Sequence, residues 1–256
     1  MRKDHACGIE LVDDRHFSMK DPRGRDLIRW KRLKGFLKAG LVNTDGWAAI
    51  HVVHWRTGES GERIYLYDQM MLVLAPSVFV VCETQHGRIG VVEVFRMTNS
   101  RSWPETGSDY LKHLEQGNLW EKMVGSLGQM RWQIPRGMCR IKPGENLEQA
   151  VLRSAIEEAE QEGGFRVVKA TYVGDMNADD AFFVHPQFVV HLLVETQTDE
   201  QRPDLFEEIG RTRFVSPEEL QQMYADGLCN DGPSMASLLV CGINAFPHIS
   251  TLSTGP

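Results

Sequence analysis

The residues whose types and spacing could do chemistry lie in one stretch, Trp132 to Phe165, which reads WQIPRGMCRIKPGENLEQAVLRSAIEEAEQEGGF. A short apolar strand at Trp132 and Ile134 runs into a glycine-bearing loop from Pro135 to Gly144. A helix dense in carboxylates follows. Asn146 with Gln149 three residues on matches a capping box, and Gly163-Gly164 is a left-handed stop signal. At ~100° per residue, Leu147, Val151, Ala155 and Ala159 share one face of this helix, and Glu158 and Glu162 fall on or beside it. Glu157 sits at the rim, one turn from Arg153. Inward carboxylates are costly unless paired or bound to a cation, so the pattern points to a divalent-metal site. Oxygen ligands suit Mg²⁺ or Mn²⁺ rather than zinc. The plain alternative is a solvated acidic helix in which Arg153 and Glu157 form an i, i+4 pair worth about 0.2–0.5 kcal/mol.

The elements that must position this stretch are mostly strands. Ala48 to Trp55 and Arg63 to Tyr67 read as strands joined through Thr57-Gly58-Glu59-Ser60-Gly61. Met70 to Leu74 and Val78 to Glu83 are apolar and largely β-branched, and Gln85-His86-Gly87 turns the chain into Ile89 to Phe95. After the acidic helix, Phe165 to Gly174, Phe188 to Glu195 and Arg211 to Val215 read as strands. Ser216-Pro217-Glu218-Glu219 is a helix start, and a last helix is expected from about Pro233 through Met235 to Ala245. A polar insertion, 97–131, carries an expected helix at Tyr110 to Val124. Asp175 to Asp180 departs from a calcium loop, with Asp180 where glycine belongs and Pro186 where the closing glutamate belongs. His51 and His54, three apart on a strand, point to opposite faces and read as structural. Residues 1–45 carry no strand pattern.

Composition bounds the rest. The chain has 256 residues, a net charge of -7 and ordinary charged and hydrophobic fractions of 25% and 42%, so it is no generic nucleic-acid binder. Charge is uneven, with nine Lys/Arg against two Asp between Arg15 and Lys38. Leu27 to Leu41 could form a basic amphipathic helix, either a solvated arm that packs on the domain or a partner subunit, or a nucleic-acid or membrane contact. Five widely spaced cysteines without a C-x-x-C pair read as free thiols in a reducing compartment. The charged N-terminus lacks a signal-peptide core, and no apolar run is long enough to span a membrane. The expected address is the cytoplasm.

The central stretch resembles the Nudix box of the Nudix hydrolases: a glycine-bearing loop (Pro135-Arg136-Gly137-Met138), then Gly144-Glu145, then a helix with Ala150, Arg153, Glu157 and Glu158 in register. Ala155-Ile156-Glu157-Glu158-Ala159, Phe95-Arg96 and Phe214-Val215-Ser216-Pro217-Glu218-Glu219 with Gly227 and Asp231 are similar to the ADP-ribose pyrophosphatase branch. The likeness spans roughly residues 62–246. Two departures stand out. Ser154 occupies the place of a metal-binding glutamate, and the helix runs about one turn longer before its glycine. A second register, shifted by four, would use Glu158, Gln161 and Glu162, so Glu158 belongs to both.

The resemblance implies an α+β fold, an α/β/α sandwich around a mixed sheet. It implies an N-terminal extension over 1–60 and a Nudix-like domain over 61–256. It also implies Mg²⁺ or Mn²⁺ held by Glu157 and Glu158, by Glu162 in the shifted register, and by the Arg136 carbonyl. Glu207 or Glu208 would be the base, Arg96, Arg136 and Gly137 would meet the substrate, and Glu145 and Arg153 would support the loop. The implied substrate is a small nucleotide, a nucleoside diphosphate linked to a second group, and the implied assembly is a homodimer. A Nudix-fold binding or regulatory module that has lost turnover is the second reading, favoured by Ser154. Nucleic-acid binding through 15–38 is a third.

Overall fold

Long runs of β-branched and aromatic residues make strands of most of the described residues. The computed structural model describes residues 7–11, 47–74, 76–97, 128–177, 183–202 and 209–244. The expected helices at Leu27 to Leu41 and Tyr110 to Val124 lie outside these residues. The chain divides into two units: Met1–Pro76 with Asp179–Pro186, and Ser77–Ala178 with Gln187–Pro256.

In the first unit β1 (Cys7–Leu11), β2 (Trp47–Thr57), β3 (Arg63–Leu74) and β9 (Phe183–Val184) form a sheet in the order β1-β2-β3-β9. β1 is a strand that the sequence pattern did not reveal. Arg63 to Tyr67 and Met70 to Leu74, expected as two strands, are one, because β3 pairs with β2 along its whole length. That pairing also places residues 61–76 in the first unit rather than with the expected 61–256 domain. Of the two histidines, His54 stacks on its cross-strand neighbour Tyr67 with ring centroids 4.1 Å apart.

The second unit is built on a mixed sheet. Its strands are β4 (Ser77–Thr84), β5 (Ile89–Met97), β6 (Gly128–Gln133), β7 (Arg136–Met138), β8 (Phe165–Met176), β10 (Gln187–Thr198) and β11 (Ile209–Val215). The order is β11-β5-β4-β10-β8, with β6 on β5 and β7 on β4; β4 and β10 run parallel and the other pairs antiparallel. β6 takes residues 128–131 out of the expected insertion. Alternation along β4 sends Val78, Val80 and Cys82 into one core and Phe79 and Val81 into another. Helix α1 (Leu147–Gly163) covers the first face through Ala150, Val151, Ala155 and Ala159. Helices α2 (Pro217–Ala225) and α3 (Gly232–Val240) cover the second through Leu220, Met223, Tyr224 and Leu238. This is the expected sandwich of helices on both faces of a mixed sheet, with α3 ending earlier than Ala245.

The start and stop of α1 are those read from sequence. Asn146 accepts from the Gln149 N–H, Gln149 answers to the Asn146 N–H, and Gly164 closes the helix at φ 63°. Leu147 is the exception: it is exposed, not on the buried face. Below the helix end, Phe165 is fully buried, and its ring fills the space that a side chain on Gly90 or Gly163 would need, 2.5 and 2.2 Å from the respective Cβ positions. Overpacking at such a site is costly. Gly90→Ala is therefore expected to destabilise the protein by about 1–3 kcal/mol in urea unfolding, while Gly174→Ala, where nothing lies within 4 Å, leaves the midpoint nearly unchanged.

Candidate active site

β7 is the strand on which the site is assembled. It pairs with β4 so that Gly137 lies opposite Val78 and Arg136 opposite Phe79. Directly opposed residues share a face. Position 137 therefore faces α1, and the Arg136 side chain faces the layer of α2 and α3. There the guanidinium stands 5.6 Å from the Phe79 ring centroid and donates from Nη1 to Asp231 Oδ1 at 2.9 Å. On the α1 side, a Cβ at residue 137 would come within 1.8 Å of Glu158 Oε1. The Glu158 carboxylate thus rests on bare backbone, a close approach only glycine permits. One turn on, Glu162 is 0% exposed, and its Oε2 accepts the Arg136 N–H at 3.0 Å. The two inward carboxylates singled out by spacing both address β7.

Glu145 and Arg153 form the frame of the loop. Arg153 binds Glu145 with two nitrogens, Nε to Oε1 at 2.6 Å and Nη2 to Oε2 at 3.0 Å, and Nη2 also donates to the Arg140 carbonyl at 2.5 Å. Such forked pairs fix geometry as well as charge. The Glu145 carboxylate also accepts the Lys142 N–H at 2.8 Å. Together these hold the Glu145 pKa down to about 2, with the Arg153 hydrogen bond as the largest cause. Arg153 is raised in turn, chiefly by its hydrogen bond to Glu145. The third nitrogen, Nη1, donates to Glu157 Oε2 at 2.6 Å, and Lys142 Nζ donates to Glu157 Oε1 at 3.0 Å. Both Glu157 oxygens are therefore engaged by cations.

Ser154, the departure from the acidic pattern, is 3% exposed and hydrogen-bonds the Cys139 thiol. Burial, the largest cause, raises the Cys139 pKa. The pair closes the loop against the helix at the place where a carboxylate was expected to point at a metal. Arg96 lies in β5 with its backbone opposite Gln129; its side chain, and all of Glu207 and Glu208, lie outside the described residues. Asp231, named from the sequence only as part of the family likeness, is the cap of α3, accepting the Ser234 N–H at 2.9 Å. Its bond to Arg136, 95 residues away, has no local signal.

The donors suit a hard cation in part. Mg²⁺ takes one or two carboxylates and completes its shell with water and phosphate oxygens. Glu158, half-buried against main chain, fits that need, and Glu157 fits it only on leaving Lys142 or Arg153. Among the described residues no three His, Cys, Asp or Glu side chains come together as a metal cluster.

Residues 119–232 match the family model described as the NUDIX domain. Over that span the chain is similar to the Nudix domain. The matched span begins before β6 and ends at the first residue of α3, so it contains the whole loop, α1 and the Asp231 cap. Among solved structures the chain is similar to one titled "Crystal structure of ADP compounds hydrolase", at 13% identity and a TM-score of 0.47, covering 94% of this chain and 93% of that one. No curated protein matches it significantly.

The depressed Glu145 carboxyl makes the loop's stability depend on pH with a definite sign. A lowered native pKa stabilises fully above the unfolded value, about 4.5, and this is lost as pH falls toward about 2. The difference in urea midpoint between the protein and its Arg153→Met variant is expected to hold from neutral pH to about 5 and to shrink below that. A difference that widened in acid would contradict the assignment.

Proposed function

We propose that this Nudix domain is a metal-dependent pyrophosphohydrolase acting on a nucleoside diphosphate linked to a second group, of the ADP-ribose or nucleotide-sugar type. The observation that carries the proposal is the Glu158 carboxylate seated on Gly137, facing the loop that Glu145 and Arg153 hold. In this reading Glu158 is the principal ligand of Mg²⁺ or Mn²⁺. The Arg136 carbonyl lies on the same strand, and Glu157 is available on release from Lys142. Bound there, the cation would neutralise phosphate charge and lower the pKa of an attacking water.

The chain's own residues do the rest. Gly137 leaves room for the Glu158 carboxylate against the strand, and Arg96 binds phosphate with its planar fork. Glu207 or Glu208 takes the proton of the attacking water. Glu145 and Arg153 keep the loop from relaxing away. Homodimerisation involving the N-terminal residues belongs to the same proposal. A second reading, a nucleotide-binding or regulatory module without turnover, is favoured by Ser154, a buried hydroxyl where the family pattern has a metal-binding glutamate.

One experiment separates them. With Mg²⁺ or Mn²⁺, the protein is expected to release mononucleotide from at least one member of a panel of nucleoside diphosphate sugars. Glu158→Gln is expected to lower kcat roughly 100-fold or more, about 2.7 kcal/mol of transition-state stabilisation. Ligand binding by calorimetry with no turnover across the panel would establish the second reading. A further outcome follows from Gly137. A Cβ there meets the far end of a flexible side chain rather than backbone, so Gly137→Ala should push Glu158 aside. Activity is expected to fall about as far as in Glu158→Gln, with a stability change of under about 1 kcal/mol.

A further inference from the structure

We propose that Glu162 is a positioning residue for this site and not a metal ligand: its buried carboxylate fixes the register of β7 so that Gly137, and no other residue, lies under Glu158. The proposal rests on the preceding section only in taking Glu158 as the working acid.

β7 is three residues long and makes three cross-strand pairs with β4. So short a strand specifies its register weakly, and a slip of one residue exchanges its two faces. A slip here would bring the Arg136 side chain to the space held by the Glu158 carboxylate. One main-chain bond extends the ladder, from the Val80 N–H to the Pro135 carbonyl at 3.0 Å, and two further grips come from outside it. Glu162 Oε2 takes the Arg136 N–H from the α1 layer, and Asp231 takes the Arg136 guanidinium from the α3 layer. Arg136 is thus gripped at its main chain from one face and at its side chain from the other.

Glu162 is itself held in place. The Gln201 side-chain amide donates to the Glu162 carbonyl at 2.7 Å and to Thr212 Oγ1 at 2.7 Å. The Arg202 N–H donates to the Gln161 carbonyl at 2.8 Å, and the Asp199 N–H to the Gly164 carbonyl at 2.7 Å. These bonds satisfy carbonyls that the end of a helix leaves open and tie the last turn of α1 to β11. The main chain of the extra helical turn is therefore anchored where the Glu162 carboxylate meets β7. Burial separates the two acids as well. Glu158 keeps partial exposure, whereas Glu162 is fully enclosed beside Ala159 and Gly163, where its oxygen serves a main-chain donor.

Two variants distinguish an acceptor from a ligand. Glu162→Gln keeps an oxygen that can accept the Arg136 N–H but removes the charge; Glu162→Met keeps the volume and removes the acceptor. On the nucleotide-free protein, hydrogen exchange of the Arg136 amide and calorimetric binding of Mn²⁺ are measured for each. Glu162→Gln is expected to keep Mn²⁺ affinity within about threefold of the parent and to keep the amide protected. Glu162→Met is expected to lose that protection and to bind Mn²⁺ about 10–100-fold more weakly, the range for partners that orient a ligand.

Equal weakening of Mn²⁺ by both variants would make Glu162 a ligand and overturn the proposal. An amide that stays protected in Glu162→Met would overturn it also. Should Glu162→Met not fold, Glu162→Gln decides alone: a tenfold or greater loss of Mn²⁺ affinity refutes the positioning role. Failure of the functional reading shows separately, as unchanged Mn²⁺ binding in Glu158→Gln, and leaves the amide measurement standing.

Discussion

Helix α1 can approach β7 only because residue 137 has no side chain, and the space so opened is filled by the Glu158 carboxylate. The small residues on the helix, Ala155, Ala159 and Gly163, serve the same approach, since each is buried where a larger side chain would hold the helix off the sheet. A polar group pressed against main chain in a half-buried place is costly unless something answers its charge. In the proposed reading a cation is one such answer, and the loop around this contact is heavily braced.

The bracing is electrostatic. Arg153 spends its whole guanidinium inside the loop, on Glu145, Glu157 and the Arg140 carbonyl. Glu145 answers with a second hydrogen bond to the Lys142 N–H, and its depressed pKa records how strongly its charged form is preferred. Glu157 stands between this frame and the candidate cation site. Its two oxygens are shared by Arg153 and Lys142, so any role with a cation requires one of those partners to let go. With Ser154 turned to Cys139, Glu158 is the one acid in the helix both set toward β7 and partly open to solvent.

The opposite layer contributes through one residue. Asp231 caps α3 with one oxygen, accepting from Ser234, and binds Arg136 with the other. The two roles fit together because a helix N-terminus favours an anion, and each oxygen of that carboxylate has its own donor. A change at the start of α3 can therefore be felt at β7 without touching α1.

Much of the site was legible in the residues. Gly-Glu-Asn before an apolar stripe, a capping box and paired glycines mark α1 and its ends, because caps and left-handed stops are local physics. The inward placement of Glu158 and Glu162 follows from helical period alone, and both do face β7. The forked Glu145–Arg153 pair was expected from the family likeness. Other features escaped. β1 is five residues long, too short for its alternation to stand out. β6 lies at the end of a polar segment whose pairing with β5 is long-range. The three-residue β7 has no periodicity to read. The family likeness makes Glu157 a ligand, and spacing could not show Lys142 reaching it across the loop from 15 residues away. What the sequence by itself determined was which residues could carry charge toward the sheet, since helix geometry depends only on neighbours along the chain. Which of those charges is engaged, which is buried and which rests on bare backbone was decided by tertiary structure, because β7, α1 and α3 meet only when strands far apart in sequence pair.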